Sequence, residues 1–287
     1  MLTRLRARVA RRLLRLALLA QAAAQHRAEA PDLSGTVDVE TRFGSLYFPE
    51  EDAFIAPYLR EHGIWEPGET RLLSRKLQPG ATFLDVGAHV GYFSCLAGRL
   101  VGPHGLVLAF EPHPRNYELL LANAWRNGLT NVVAVPWAVT DSNGFAELFT
   151  TGANTGGHRL YQSSGETQAI RVRTAALDQV AAIRPPVNVV KIDAQGADDL
   201  AVAGMAQLLA RSPGVTLLAE FWPEGIRLRG ADPRAVLDSY RALGYSLTVQ
   251  VPPEGREEPN LSNEEILAHC ADEDGTLHVN LALELKH

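Results

Sequence analysis

Apolar and polar positions divide the chain into three parts. Leu2, Leu5, Val9, Leu13, Leu16 and Ala20 recur at helical spacing, while Arg4, Arg8, Arg11, Arg12 and Arg15 fall on another face. That pattern predicts a basic amphipathic helical arm over residues 1–30. Residues 31–80 predict an N-terminal cap region. Within it Val37–Leu46 is strand-like, Pro49 with Glu50, Glu51 and Asp52 reads as a helix start, and Thr70–Leu77 resumes helical spacing. Pro79-Gly80 closes the region. Over residues 81–287 short apolar runs alternate with helical periods, the pattern of βαβ units and a parallel sheet. The predicted strands are Thr82–Val86, Gly105–Phe110, Val132–Pro136, Val187–Ile192 and Thr216–Phe221, then a pair at Ser246–Val251 and Thr276–Leu283. The predicted helices are Tyr92–Leu100, Pro114–Asn127, Asp198–Ala210, Pro233–Leu243 and a short one near Asn263–Ala268. A hairpin is expected from Gly144–Thr150 and Ala169–Val172, enclosing a Gly/Ser/Thr-rich loop, Thr151–Thr167, long enough to be functional.

Charge changes the picture of the arm. Residues 1–30 hold seven Arg against Glu29, a net of +6, so the −6 of the whole chain leaves about −12 on the remainder. An acidic body disfavours nucleic-acid binding, which needs a basic face. The Leu stripe either docks on its own domain or a second subunit, making a homo-oligomer, or anchors the chain to an anionic surface; docking is the favoured reading. No stretch approaches the ~20 apolar residues of a transmembrane span, and Arg15 cuts the only signal-like apolar run short. A cytoplasmic protein with reduced, structural thiols at Cys95 and Cys270 is therefore expected.

Chemistry concentrates after the first main strand. Phe83-Leu84-Asp85-Val86-Gly87-Ala88-His89-Val90-Gly91-Tyr92-Phe93 reads as strand, acid, Gly-rich turn and helix, and the next strand ends in Glu111. A turn that a ligand must approach closely calls for Gly, and an acid after the following strand can accept from ribose hydroxyls. Asp85 would repel the phosphates of a dinucleotide at a helix start. It suits a ligand with an ammonium and a sulfonium, such as S-adenosylmethionine. In this reading Asp85 binds the amino group directly or through water, the turn amides of Gly87, Ala88, His89 and Gly91 face the carboxylate, and Glu111 takes the ribose, with Pro112 and Pro114 stiffening its strand exit. Ala138 is small enough to lie against the adenine. His89 is read as packing or capping the backbone in preference to acting as a base, and His113 as an exposed helix-start residue.

A second constellation, Val189-Val190-Lys191-Ile192-Asp193-Ala194-Gln195-Gly196-Ala197-Asp198, places Asp193 at a strand's carboxyl end, facing the reacting methyl group. Asp198 reads as a negative residue of a helix's first turn, and Lys191 as the partner of an acid. Glu220 follows in Leu218-Ala219-Glu220-Phe221-Trp222-Pro223. Asp193 and Glu220 together can activate an acceptor hydroxyl or bind Mg²⁺. Equally, Glu220 can be a structural ion-pair acid. In the loop, Asn154, His158 and Tyr161 are candidates for acceptor contact, His158 also as a base.

These motifs, with Phe110-Glu111-Pro112-His113-Pro114 and Leu177-Asp178, resemble the FkbM-type family of S-adenosylmethionine-dependent methyltransferases from about Gly63 to Val251. The resemblance implies a Rossmann-like, seven-stranded, mostly parallel sheet with an antiparallel last strand. It also implies methyl transfer, usually to a hydroxyl oxygen of a natural product or glycan. Two positions depart from the family pattern. His89 stands where Asn is usual, and Gln195 where Glu is usual, which removes a carboxylate beside Asp193; no metal site is therefore expected. The expected activity is O-methylation of a small-molecule acceptor. The rivals are N-methylation and a non-catalytic protein that keeps the nucleoside pocket. A nicotinamide-dependent oxidoreductase is disfavoured by Asp85.

Overall fold

A strand covered on both faces needs apolar residues at nearly every position, and five runs of this chain have them. The computed structural model describes residues 31–163, 168–180, 183, 185–252, 254–271 and 277–285. The basic arm over residues 1–30 lies outside the described residues. Two antiparallel strands, β1 (Thr36–Thr41) and β2 (Gly44–Pro49), come first, followed by helices α1 (Ile55–His62) and α2 (Pro67–Lys76). Then β3 (Thr82–Val86), α3 (Tyr92–Val101), β4 (Leu106–Phe110), α4 (Pro114–Arg126) and β5 (Val132–Val135) form two βαβ units. A small sheet interrupts the alternation, made of β6 (Trp137–Val139), β7 (Gly144–Phe149) and β8 (Ala169–Ala175). The chain returns through β9 (Val189–Ile192), α5 (Asp198–Ala203), α6 (Ala206–Ala210), β10 (Thr216–Phe221), α7 (Pro223–Leu228) and α8 (Pro233–Ala242). It ends with β11 (Tyr245–Val251), β12 (Arg256–Pro259), α9 (Asn263–His269) and β13 (Val279–Leu285).

The main sheet runs β12-β11-β13-β10-β9-β3-β4-β5. All seven expected strands are in it, and β13, last in sequence, lies antiparallel between β10 and β11. Arg256–Pro259 adds an unexpected eighth strand at the edge, antiparallel to β11. The small sheet is also larger than the expected hairpin, because Trp137–Val139 pairs parallel to β8. One predicted helix is two. The chain breaks at Gly204, where any Cβ would sit 1.9 Å from the Thr140 carbonyl oxygen. The second piece is restarted by Asp178, whose carboxylate accepts from the Gln207 and Leu208 amides at 2.8 and 2.7 Å.

Alternation along each strand splits the core in two. Leu84, Val86, Leu108, Phe110, Val190 and Ile192 face the layer holding α5, α6 and α8. Phe83, Val107, Ala109 and Val189 face the layer holding α2, α3 and α4. The order places β3 between β4 and β9, so the chain reverses direction across the sheet at the carboxyl ends of β3 and β9. That is the switch point at which open α/β sheets bind ligands.

The N-terminal hairpin is tied to this crevice by one buried amide. Asn123 on α4 accepts from the Tyr47 amide at 2.7 Å and donates to the carbonyls of Tyr47 at 3.0 Å and Val90 at 2.8 Å. Asn123→Ala leaves those three backbone groups without their partner at a buried to part-buried site, so urea unfolding is expected to show a loss of about 2–4 kcal/mol. Asn123→Asp, which keeps the acceptor and loses both donors, is expected to cost nearly as much. A loss below the ~0.5 kcal/mol typical of surface changes would show that the hairpin is held elsewhere.

Candidate active site

The turn after β3 is shaped by backbone contacts. Gly87 has φ +77°, and a Cβ there would meet the Asp193 carbonyl oxygen at 2.0 Å, so the two strand ends touch only because residue 87 lacks a side chain. His89 follows at φ +51°, a left-handed conformation in which Asn and His are both enriched. The His-for-Asn departure thus keeps the backbone geometry. Gly91, at φ +92°, precedes α3 and packs on Leu120, and it lines neither of the two cavities that open on the turn. The turn amides do not face outward as expected. Gly87 and Ala88 donate to the Phe110 carbonyl, both at 3.0 Å, and the His89 amide donates to Glu111 at 2.8 Å. They serve the next strand end, and none of these three remains for a ligand carboxylate.

Two adjoining cavities open on this turn. The first is a slot of Val86, Trp137, Ala138, Val139, Leu148 and Leu160, with Glu111 and Pro112 at one side. Glu111 accepts from the His89 and His113 amides, each at 2.8 Å, one per oxygen. Each carboxylate oxygen has a second lone-pair site, so two hydroxyls can still be accepted. Burial raises the Glu111 carboxyl to about 7. The second cavity is lined by Trp65, Tyr92, Phe93 and Trp222 together with Glu66, Asp193, Glu220 and Gln195. Gly87, His89, Gly156, Arg159 and Asp193 border both.

The second cavity's floor is built on one cation. Lys191, 3% exposed, reaches Asp193 at 3.0 Å, Glu69 at 3.7 Å and Glu66 at 4.0 Å, with the Phe93 ring 4.7 Å away. Burial alone would raise the Asp193 carboxyl, but Lys191 and hydrogen bonds from Gln195 and Lys191 hold it below the ordinary range. Burial and the neighbouring Glu66 push Glu69 well above it. Gln195 donates to Asp193 at 2.8 Å and to Glu220 at 3.4 Å, so the amide bridges the two acids where a Glu would repel them. Glu66 is held at φ +42° just before Pro67, with Asn280 donating to one oxygen at 3.0 Å.

Other candidates fall elsewhere. Asp85 is 1% exposed and lines neither cavity. It pairs in register with Lys191 and accepts from Ser94 on α3 at 2.5 Å, supporting the turn from beneath. Asp198 lies in the first turn of α5, as expected, but it is buried, and burial with the neighbouring Glu220 and Asp193 raises its carboxyl well above the ordinary range. His113 is half-buried, its ring 4.2 Å from that of His158. His158 borders the first cavity but not the second, and its Nδ1 accepts from the Thr151 amide at 3.1 Å. Burial lowers it to about 3. Asn154 lines the second cavity, and Tyr161 donates to the Gln195 carbonyl at 2.6 Å, pinning the loop to the β9 end. Sequence reasoning missed Trp65, Glu66, Glu69 and His278, which come from the cap and the last strand's approach. No local motif in the cap or before the last strand pointed to them. Among the described residues no cluster of three or more His, Cys, Asp or Glu has metal-binding geometry, and no helix is long and apolar enough to cross a membrane.

A family model described as "Methyltransferase FkbM domain" matches residues 85–247, more than half of the chain. No curated protein matches. Similar solved structures include an O-methyltransferase from Bacillus cereus in complex with SAH, at 18% identity, covering 80% of this chain and 86% of that one, with a TM-score of 0.45. M. jannaschii TYW2 in complex with AdoMet is 15% identical over 87% and 85%, with a TM-score of 0.46. The putative transferase PH0793 from Pyrococcus horikoshii is 12% identical over 88% and 73%, with a TM-score of 0.48.

Burial and the Asp193 charge raise Glu220 to about 7 from an ordinary 4.5. A raised acid binds its proton more tightly when folded, so its contribution is full below pH 4.5 and is lost as pH rises through 7. Relative to the unsubstituted protein, Glu220→Gln is therefore expected to gain up to about 3 kcal/mol between these limits in denaturant titrations. A pH-independent difference would show that the Glu220 carboxyl is fully hydrated.

Proposed function

The chain belongs to the FkbM methyltransferase family, and from that premise we propose that it is an O-methyltransferase that methylates a hydroxyl of a small molecule, a natural product or glycan, with S-adenosylmethionine as donor. The observation that carries this reading is the pair of cavities meeting at Asp193, an apolar slot on one side and an acid-and-aromatic chamber on the other. The slot fits a nucleoside: Ala138 and Val139 offer a flat apolar wall and Glu111 keeps two acceptor sites for vicinal hydroxyls. The shared border fits a cationic tail, because Asp193 is held ionised there by Lys191. Asp193 thus takes over the ammonium-facing role that the sequence suggested for Asp85, and Asp85 keeps the turn in place.

When bound, S-adenosylmethionine supplies a methyl group made electrophilic by its sulfonium. The protein's part is then alignment, worth several kcal/mol when an acceptor oxygen is held in line. Asp193 and Glu220, linked through Gln195, face the chamber in which the acceptor would sit. Glu220, near 7, is matched to receive a hydroxyl proton at neutral pH. Trp65, Trp222 and Phe93 exclude water and offer apolar faces to the acceptor. His158, neutral and outside the chamber, has no part in the proton transfer.

Calorimetry is expected to show binding of S-adenosylhomocysteine and none of NAD; binding of NAD alone would overturn the reading. Glu111→Ala is expected to weaken cofactor binding by about 1–3 kcal/mol, with much of the rate recovered at saturating cofactor. Asp193→Ala is expected to lower kcat even at saturation. Wild-type kcat with collapsed cofactor affinity in Asp193→Ala would make Asp193 a cofactor residue only.

A further inference from the structure

Three residues distant in sequence meet behind the turn. Thr155, on the loop that roofs both cavities, has its hydroxyl 2.5 Å from Asp52 Oδ2 and 2.9 Å from His89 Nε2. Asp52 precedes α1, and its other oxygen accepts from the Ala56 amide at 2.8 Å and the Phe54 amide at 3.3 Å. Both oxygens of Asp52 therefore face donors. Thr155 is itself buried, and its carbonyl accepts from Asn116 Nδ2 at 2.9 Å.

A hydroxyl has one proton to give. Here it goes to the Asp52 carboxylate, so the bond to Thr155 from the other side must be donated by the imidazole. Burial lowers His89 to about 4, so the ring is neutral near pH 7 and carries a single N–H. That N–H is then on Nε2, and Nδ1 is a bare acceptor. Nδ1 has no protein partner among the described residues and is not one of their sealed, partnerless atoms. The ring borders both cavities, and the same residue's amide orients Glu111.

We propose that Asp52, Thr155 and His89 form a carboxylate–hydroxyl–imidazole relay that fixes His89 as the Nε2–H tautomer and presents Nδ1 to an N–H or O–H group of the bound nucleoside cofactor. Asp52 and Thr155 are positioning residues that act through His89. The cofactor half of the inference rests on the reading given under Proposed function; the tautomer half does not.

The test is ¹⁵N-resolved histidine NMR of the full chain, with the His89 signals assigned by their loss in His89→Asn. The ligand-free protein is expected to show a protonated Nε2 and a bare Nδ1, and S-adenosylhomocysteine is expected to move the Nδ1 signal. Asp52→Asn keeps the shape but lets an amide donate to Thr155, so the hydroxyl turns toward Nε2 and the proton moves to Nδ1. The His89 pattern should invert, and affinity for S-adenosylhomocysteine should fall about tenfold or more, as a donor then opposes a donor. Should Asp52→Asn unfold through loss of its contacts to α1, Thr155→Val serves instead: it should leave the two tautomers in exchange, with Thr155→Ser restoring the single form. A protonated Nδ1 in the unsubstituted ligand-free protein would overturn the relay. Binding of S-adenosylhomocysteine that leaves Nδ1 unmoved would overturn its role toward the cofactor. No binding at all would sink the cofactor reading, while the ligand-free spectrum still decides the tautomer.

Discussion

One buried ammonium organises the site. Removing a charge from water costs several kcal/mol unless partners compensate, and Lys191 obtains its partners from three places. Asp193 comes from its own strand, Glu66 and Glu69 from the cap helix, and Asp85 lies beside it in the neighbouring strand. The need to satisfy that cation pulls α2 onto the carboxyl ends of β3 and β9. It also sorts the acids. Asp193 stays ionised at the junction of the cavities, while Glu69, fully enclosed and beside Glu66, is driven toward its neutral form.

Around this centre the crevice is assembled from pieces that share no local pattern. Gly87 lets β3 and β9 close to backbone contact. The loop before β8 supplies the roof and is fastened by Tyr161 to the Gln195 carbonyl and by Thr155 to Asp52 and His89. Gln195 shows how a departure from a family pattern is absorbed. Its amide gives two neighbouring carboxylates a shared donor, a role that a Glu could fill only if protonated.

Much of the fold was legible because its signals are local. Apolar runs of four to six residues fix strands buried on both faces, and helical periods between them fix the crossovers. Where the signal was tertiary, the reading fell short. The break at Gly204 answers to Thr140 of the small sheet, and the edge strand Arg256–Pro259 is a polar run that forms only because β11 offers it a free edge.

The same division governs the site. By itself the sequence determined the strand–turn–helix at Asp85–Gly91, the acid at Glu111 and the acids at Asp193 and Glu220, because each follows from where a strand must end. Only the tertiary structure decided what those groups do. Asp85 was set under the turn by its register with Lys191, and Asp193, two residues beyond Lys191 and paired with it, reached the cavities. The turn amides were spent on Phe110 and Glu111. His89 was set against Thr155, 66 residues on, which in turn reaches back 103 residues to Asp52. Burial and hydrogen-bond partners set which oxygen is ionised and which nitrogen is bare, and they are properties of neighbours in space that periodicity along a chain does not encode.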